Sequence, residues 1–228
     1  MWLEFMAKMS DTIFYNFIKD DRYMYLVDGL GVSIQITIYA ALIGVVLGLL
    51  LAVMKLVGGK LLSAVADGYI AVIRGTPVVV QLTIIYFVIF ASVDIPQLVV
   101  AAVAFGLNSA AYVAEIVRAG IQAVDRGQME AARSLGLNYY KAMRYIIVPQ
   151  AVKNILPALG NEFIVLLKET SVSGYIALQD LNRGGLAIKG LTFDPYTSLL
   201  TVAYIYFLMT ALLNGLLSTF ERRLRKSD

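Results

Sequence analysis

Glu130-Ala131-Ala132-Arg133-Ser134-Leu135-Gly136, followed after nine residues by Ile146-Ile147-Val148-Pro149, forms a polar connection between two hydrophobic segments. Asp125 and Gln128 just before it have the spacing of a capping box. Gly136 can close the helix in a left-handed conformation. The expected helix is therefore short. Asn138 can cap a second one, so the connection should fold as helix, turn, helix and offer Glu130, Ala131, Ala132, Leu135 and Gly136 to something outside the chain.

On either side the composition is that of a membrane protein. Hydrophobic residues make up 59% of the 228 and charged residues 15%, with a mean hydropathy of +0.75. Soluble domains average about 45–50% apolar. The absence of cysteine excludes disulfides, thiolate metal sites and a cysteine nucleophile, and the absence of histidine removes the commonest general base. There is no GxxxxGK[ST] phosphate loop and no cluster of metal ligands at the usual spacing, so no catalytic set emerges. ATP hydrolysis is not expected of this chain.

The apolar runs predict an all-α fold with about five transmembrane helices. Gly29 to Met54 holds no ionisable group except Tyr39 and reaches roughly 39 Å as a helix. Leu61 to Phe90 carries Asp67, Arg74 and Pro77 and reads as one kinked span. Further spans are expected at Ile95 to Ala119, Pro149 to Leu167 and Tyr196 to Thr219. Basic residues cluster at Lys55 and Lys60, from Arg118 through Arg126, Arg133, Lys141 and Arg144 to Lys153, and at Arg222, Arg223, Arg225 and Lys226. In a five-span arrangement all three clusters share one face, while the other face has Asp94 and the segment from Glu169 to Asp194. The basic face is expected to be cytoplasmic, with the N-terminus outside and the C-terminus inside. The net charge of +3 then needs no nucleic-acid partner.

Three divisions follow. Residues 1 to 25 form an N-terminal amphipathic segment, 26 to 220 the transmembrane domain with the short cytoplasmic helix at about 126 to 136, and 221 to 228 a basic tail. Lys8, Lys19, Asp20, Asp21 and Arg22 interrupt any signal-peptide core. Trp2, Phe5, Met6, Met9, Ile13 and Phe17 recur near helical spacing, which suits a helix on the membrane surface or one packed on the protein. Gly44 and Gly48 form a GxxxG pattern for close helix packing within the subunit, and Gly29 and Gly31 are read the same way.

A charge at the bilayer centre costs about 2.5–3.5 kcal/mol, so ionisable groups within spans should face protein or water. Arg74 lies near the middle of its span, beside a break suggested by Gly75 and Pro77, and a guanidinium suits a carboxylate. Asn108, Tyr112 and Glu115 form a polar stripe at i, i+4 and i+7, and Asn161 and Glu162 are expected at a similar depth. The candidate substrate-binding set is Arg74, Gly75, Thr76, Pro77, Gln81, Asn108, Tyr112, Glu115, Asn161 and Glu162. Two readings stand: a solute pathway, or a structural network in which Arg74 pairs with Glu162 or Glu115 and Glu115 with Arg118. Asp67 reads as structural.

The EAA tripeptide, three residues, Gly, nine residues, Ile, one residue and Leu-Pro mark the membrane subunits of ATP-binding-cassette importers, and this chain resembles them with Val148 in place of the Leu. Arg74-Gly75-Thr76-Pro77 with Gln81 is similar to the members that import polar amino acids, as are Asn161-Glu162-Phe163 and Lys168-Glu169-Thr170-Ser171. The resemblance covers about residues 26 to 220. It implies a type I importer permease of the bacterial plasma or inner membrane, working by alternating access as a homodimer or a heterodimer with a close relative. Implied partners are cytoplasmic ATPase subunits docked on Glu130 to Gly136, which hold the ATP and magnesium, and an extracytoplasmic solute-binding protein met partly by residues 169 to 195. The chain itself would bind no cofactor. An ion-gradient-driven secondary transporter would use the buried acids as ion sites, but no inverted repeat is visible. A scaffold without transport would leave Arg74 and the polar stripe with nothing to line.

Overall fold

The computed structural model describes residues 2–225, which are helical with no strands among them. The α-helices are α1 (Trp2–Ile13), α2 (Met24–Val57), α3 (Gly59–Arg74), α4 (Val78–Ile84), α5 (Gln97–Gln122), α6 (Arg126–Ser134), α7 (Tyr139–Ala142), α8 (Val148–Glu169), α9 (Leu181–Thr192) and α10 (Pro195–Arg225). Helix α2 begins two residues before the expected boundary at 26. Helix α10 runs through the expected boundary at 220, so Arg222 and Arg223 continue the last helix; Lys226 lies outside the described residues.

The bundle is organised on α5, whose buried face is built largely of alanine, glycine and serine. Small side chains let α2 cross it at near backbone distance. A Cβ on Gly44 would come 2.8 Å from the Cβ of Ser109, and one on Gly48 2.6 Å from Val113. The GxxxG pair is thus an internal seam. Gly29 serves α9 instead, against the main chain of Asp180, whereas Gly31 meets nothing and has no packing role. Ile36 of α2, Leu82 of α4, Phe105 of α5 and Leu166 of α8 share the main buried cluster. Within a bilayer such a cluster holds the helices together through close packing rather than through removal of apolar surface from water.

Among the described residues three helices, α2, α5 and α10, are long and apolar enough to cross a membrane, or four spans if α3 and the arm from Val78 to Ile89 count as one broken span. The expected kink there is a bend of 104°. Pro77 has no N–H to continue a ladder and holds its backbone extended, so α4 starts afresh. The expected fourth span corresponds to α8, a helix of 22 residues, but its sequence is too polar to meet the same criterion. Lys153 and Glu162 are partly covered where α8 packs on α2, α5 and α10, whereas Asn154 and Asn161 are exposed.

Candidate functional site

The break after α3 exposes main-chain carbonyls that a straight helix would satisfy. Gln81, one turn into α4, supplies the donor: its Nε2 donates to the Ile73 carbonyl at 2.7 Å, the Thr76 carbonyl at 3.1 Å and the Thr76 hydroxyl at 2.8 Å. Its Oε1 accepts from Asn108 Nδ2 at 2.9 Å. Gln81 and Asn108 are both buried, so together they brace the break against α5. Gly75, Thr76 and Pro77 form its exposed outer edge.

One turn further along α5, Arg74 places its guanidinium over the Tyr112 ring, 5.3 Å from the centroid. Its Nη1 is 3.9 Å from Glu115 Oε2, a loose pairing at the limit of contact. The firm partners of Glu115 are Lys55 at 2.8 Å and Arg118 at 2.7 Å. Lys55 also reaches Asp67 at 2.7 Å, so the last turn of α2, the middle of α3 and α5 are tied by one ionic network. Three cations against two carboxylates leave one positive charge. Arg74 is the cation least engaged, with 45% of its side chain exposed.

Glu162 lies apart from this network. Its Oε1 accepts from Ser109 Oγ at 3.0 Å, and it has no ion pair among the described residues. Ser109 is one residue from Asn108, hence about 100° around the helix, and faces the α2 and α8 side. Asn161 points outward and is exposed. Nine of the ten expected residues thus fall into a braced break, an ionic network and a separate carboxylate, and Asn161 joins none of them. No pairing joins Arg74 to Glu162 among the described residues.

Between α5 and α8 the polar connection folds as helix, turn, helix. Asp125 Oδ1 accepts from Gly127 N at 2.7 Å, and Asn138 Oδ1 from Lys141 N at 2.9 Å. Gly136 has φ +87°, the left-handed closure expected of it. The reciprocal arm of the capping box does not form, because Gln128 turns to Gln150 at 3.3 Å. Glu130, Ala131, Leu135 and Gly136 are exposed, Leu135 at 85%, whereas Ala132 is buried and belongs to the packing of the connection rather than to its outer surface.

Helix α6 is thus a short, exposed helix set between the bundle helices α5 and α8. Residues 44–226 match the family described as binding-protein-dependent transport system inner membrane component. The chain belongs to this family. The arginine transport system permease protein ArtQ of Bacillus subtilis is 39% identical over 206 residues, covering 90% of this chain and 94% of its own. The glutamine transport system permease protein GlnP of Escherichia coli is 36% identical over 203 residues, covering 88% and 93%. The crystal structure of an amino acid ABC transporter with histidines matches at 48% identity and a TM-score of 0.85, covering 91% of this chain and 98% of that one. An inward-facing MetNI methionine ABC transporter shares the fold at 18% identity and a TM-score of 0.75.

For an inner-membrane transport subunit, two residues outside the expected site set stand out. Lys55 marked only the first basic cluster, yet it bridges Asp67 and Glu115. Ser109 gave no signal beyond its place beside Asn108, yet among the described residues it donates the one hydrogen bond received by the Glu162 carboxylate.

Proposed function

We propose that this chain is the membrane permease of an ATP-driven, binding-protein-dependent importer of polar amino acids, and that it forms the solute pathway together with a second copy or a close relative. The observation that carries the reading is the exposed helix α6, capped at both ends and set between α5 and α8, which bear Glu115 and Glu162. A push on α6 reaches both helices through short connections. ATP and magnesium belong to cytoplasmic ATPase subunits docked on Glu130, Ala131, Leu135 and Gly136, and this chain hydrolyses nothing. A solute-binding protein delivers the amino acid from outside. Helix α8 completes five crossings, which puts the N-terminus outside and the basic end of α10 in the cytoplasm.

In the pathway, Arg74 supplies the unbalanced positive charge for the substrate carboxylate, with Tyr112 beneath it. Glu162 supplies the acceptor for an ammonium or guanidinium group, since its carboxylate has a single hydroxyl partner. Glu115 is already met by Lys55 and Arg118 and holds the network in place. Gln81 and Asn108 fix the break, and Gly75, Thr76, Pro77 and Asn161 border the path.

Glu130→Arg tests the coupling. The substitution reverses an exposed charge, so expression and thermal stability should be retained while ATP-driven uptake fails. Uptake at the parental rate by a normally inserted variant would refute the docking assignment. Mass spectrometry of the solute that copurifies with the partner binding protein identifies the amino acid.

A further inference from the structure

The first helix presents an apolar face that is exposed among the described residues. Met6, Met9 and Ile13 lie one turn apart along α1 and are 52%, 43% and 44% exposed, with Trp2 on the same stripe at 76%. Glu4, Lys8 and Asp11 punctuate the remaining positions. The following turn, in contrast, is held firmly. Phe17 packs with Leu26 of α2, Leu181 and Ile188 of α9 and Val202 of α10. Asn16 is buried and donates to Asp194 Oδ2 at 2.7 Å, while Asp194 Oδ1 accepts from the backbone N–H groups of Tyr196 and Thr197 and so caps α10. Arg22 Nη1 donates to the Tyr15 carbonyl at 2.9 Å. Helix α1 therefore leaves the bundle where two membrane-spanning helices, α2 and α10, both begin.

That level carries the side chains of a membrane interface. Tyr15, Tyr23, Tyr25 and Tyr196 are exposed there, and Trp and Tyr settle where apolar tails meet polar headgroups. We infer that α1 lies in the plane of the bilayer interface, its Trp2, Met6, Met9 and Ile13 face sunk into the acyl boundary, as a lipid-held anchor for the outer ends of α2 and α10. The occupant is lipid rather than a second copy because the turn that follows α1 is packed at the start of α10, an apolar helix long enough to cross a membrane of which only 6% is buried, and exposed tyrosines gather at that level. Glu4, Lys8 and Asp11 sum to one negative charge, so attachment rests on apolar burial and needs no anionic headgroup.

Trp2 is the one tryptophan in the chain and therefore its own reporter. The full chain is placed in nanodiscs of plain phosphatidylcholine or of phosphatidylcholine brominated on its acyl chains, and acrylamide is added as the aqueous quencher. The expected result is loss of most Trp2 emission to the brominated lipid, with weak quenching by acrylamide. Met6→Glu combined with Met9→Glu should reverse both readings while far-ultraviolet circular dichroism of the bundle is unchanged. Ready quenching by acrylamide without bromolipid quenching means a helix in water and overturns the proposal. Protection from both quenchers means a helix packed on protein and overturns it equally.

Discussion

Glu115 on α5 is met by Lys55 at 2.8 Å, Arg118 at 2.7 Å and Arg74 at 3.9 Å, whereas Glu162 on α8 receives one hydrogen bond, from Ser109 at 3.0 Å. Both are acids in the helical bundle, and composition does not tell them apart. The difference lies in what each has left to offer. A carboxylate surrounded by cations is a keystone whose loss leaves positive charges facing one another. One with a lone hydroxyl keeps acceptor capacity for a cationic ligand.

The largest effect expected from this contrast is on stability at the saturated acid. Glu115→Ala should destabilise the chain by about 3 kcal/mol, the low end for breaking a buried ion pair because the cluster is partly open to water. Thermal unfolding in detergent measures it. A loss below about 0.5 kcal/mol, the range of an ordinary surface change, would mean the network holds nothing together.

Next comes transport at the sparsely partnered acid. Glu162→Gln preserves shape and an acceptor for Ser109, so unfolding should barely move. Apparent affinity for a cationic substrate should fall about ten- to a hundredfold, the loss of a charge-assisted contact of about 1.5–3 kcal/mol. Equal transport by the variant would transfer recognition elsewhere.

Asp180, ahead of α9, extends the comparison to a buried acid outside the spans. Desolvation pushes its carboxyl up to about 6 from 3.8, opposed by the hydrogen bond from the Arg183 N–H. The raised value means that the fold favours the protonated form. This contribution to stability is full below about 3.8 and is lost as pH rises through about 6. Asp180→Asn keeps a capping side chain and removes the titration, so it should flatten the pH dependence of Tm across that window. An unchanged pH profile would contradict the assignment.

The smallest effect is expected at Arg74. Arg74→Lys retains the charge but loses the planar fork and the stacking on Tyr112, weakening uptake by about 1 kcal/mol, or roughly fivefold, while leaving unfolding unaltered. A drop in stability without a change in uptake would make Arg74 part of the structural network.

Local signals were legible in the sequence and long-range ones were not. Asp125, Gly136 and Asn138 act within a few residues of themselves, so their caps and closure could be read directly. Gly44 and Gly48 declared a seam through size alone, though the partner, α5, was not named. Pro77 announced a break but not its 104° bend, which depends on Gln81 capturing carbonyls and Asn108 holding Gln81. Lys55 and Glu115 are sixty residues apart, and no periodicity links them. Arg74 and Glu162 looked like one cavity because depth along a helix is readable from spacing, whereas the face on which a residue sits against its neighbours is set by packing. The pairing of Asn16 with Asp194 spans almost the whole chain and left no trace in either segment.

The most direct test of the account is uptake of radiolabelled amino acid by proteoliposomes holding this chain with its ATPase partner, with and without enclosed ATP and external binding protein. Uptake should require both, and Glu162→Gln should reduce it while the affinity of the isolated binding protein stays unchanged. Uptake driven by a sodium or proton gradient in vesicles without the ATPase would contradict the account.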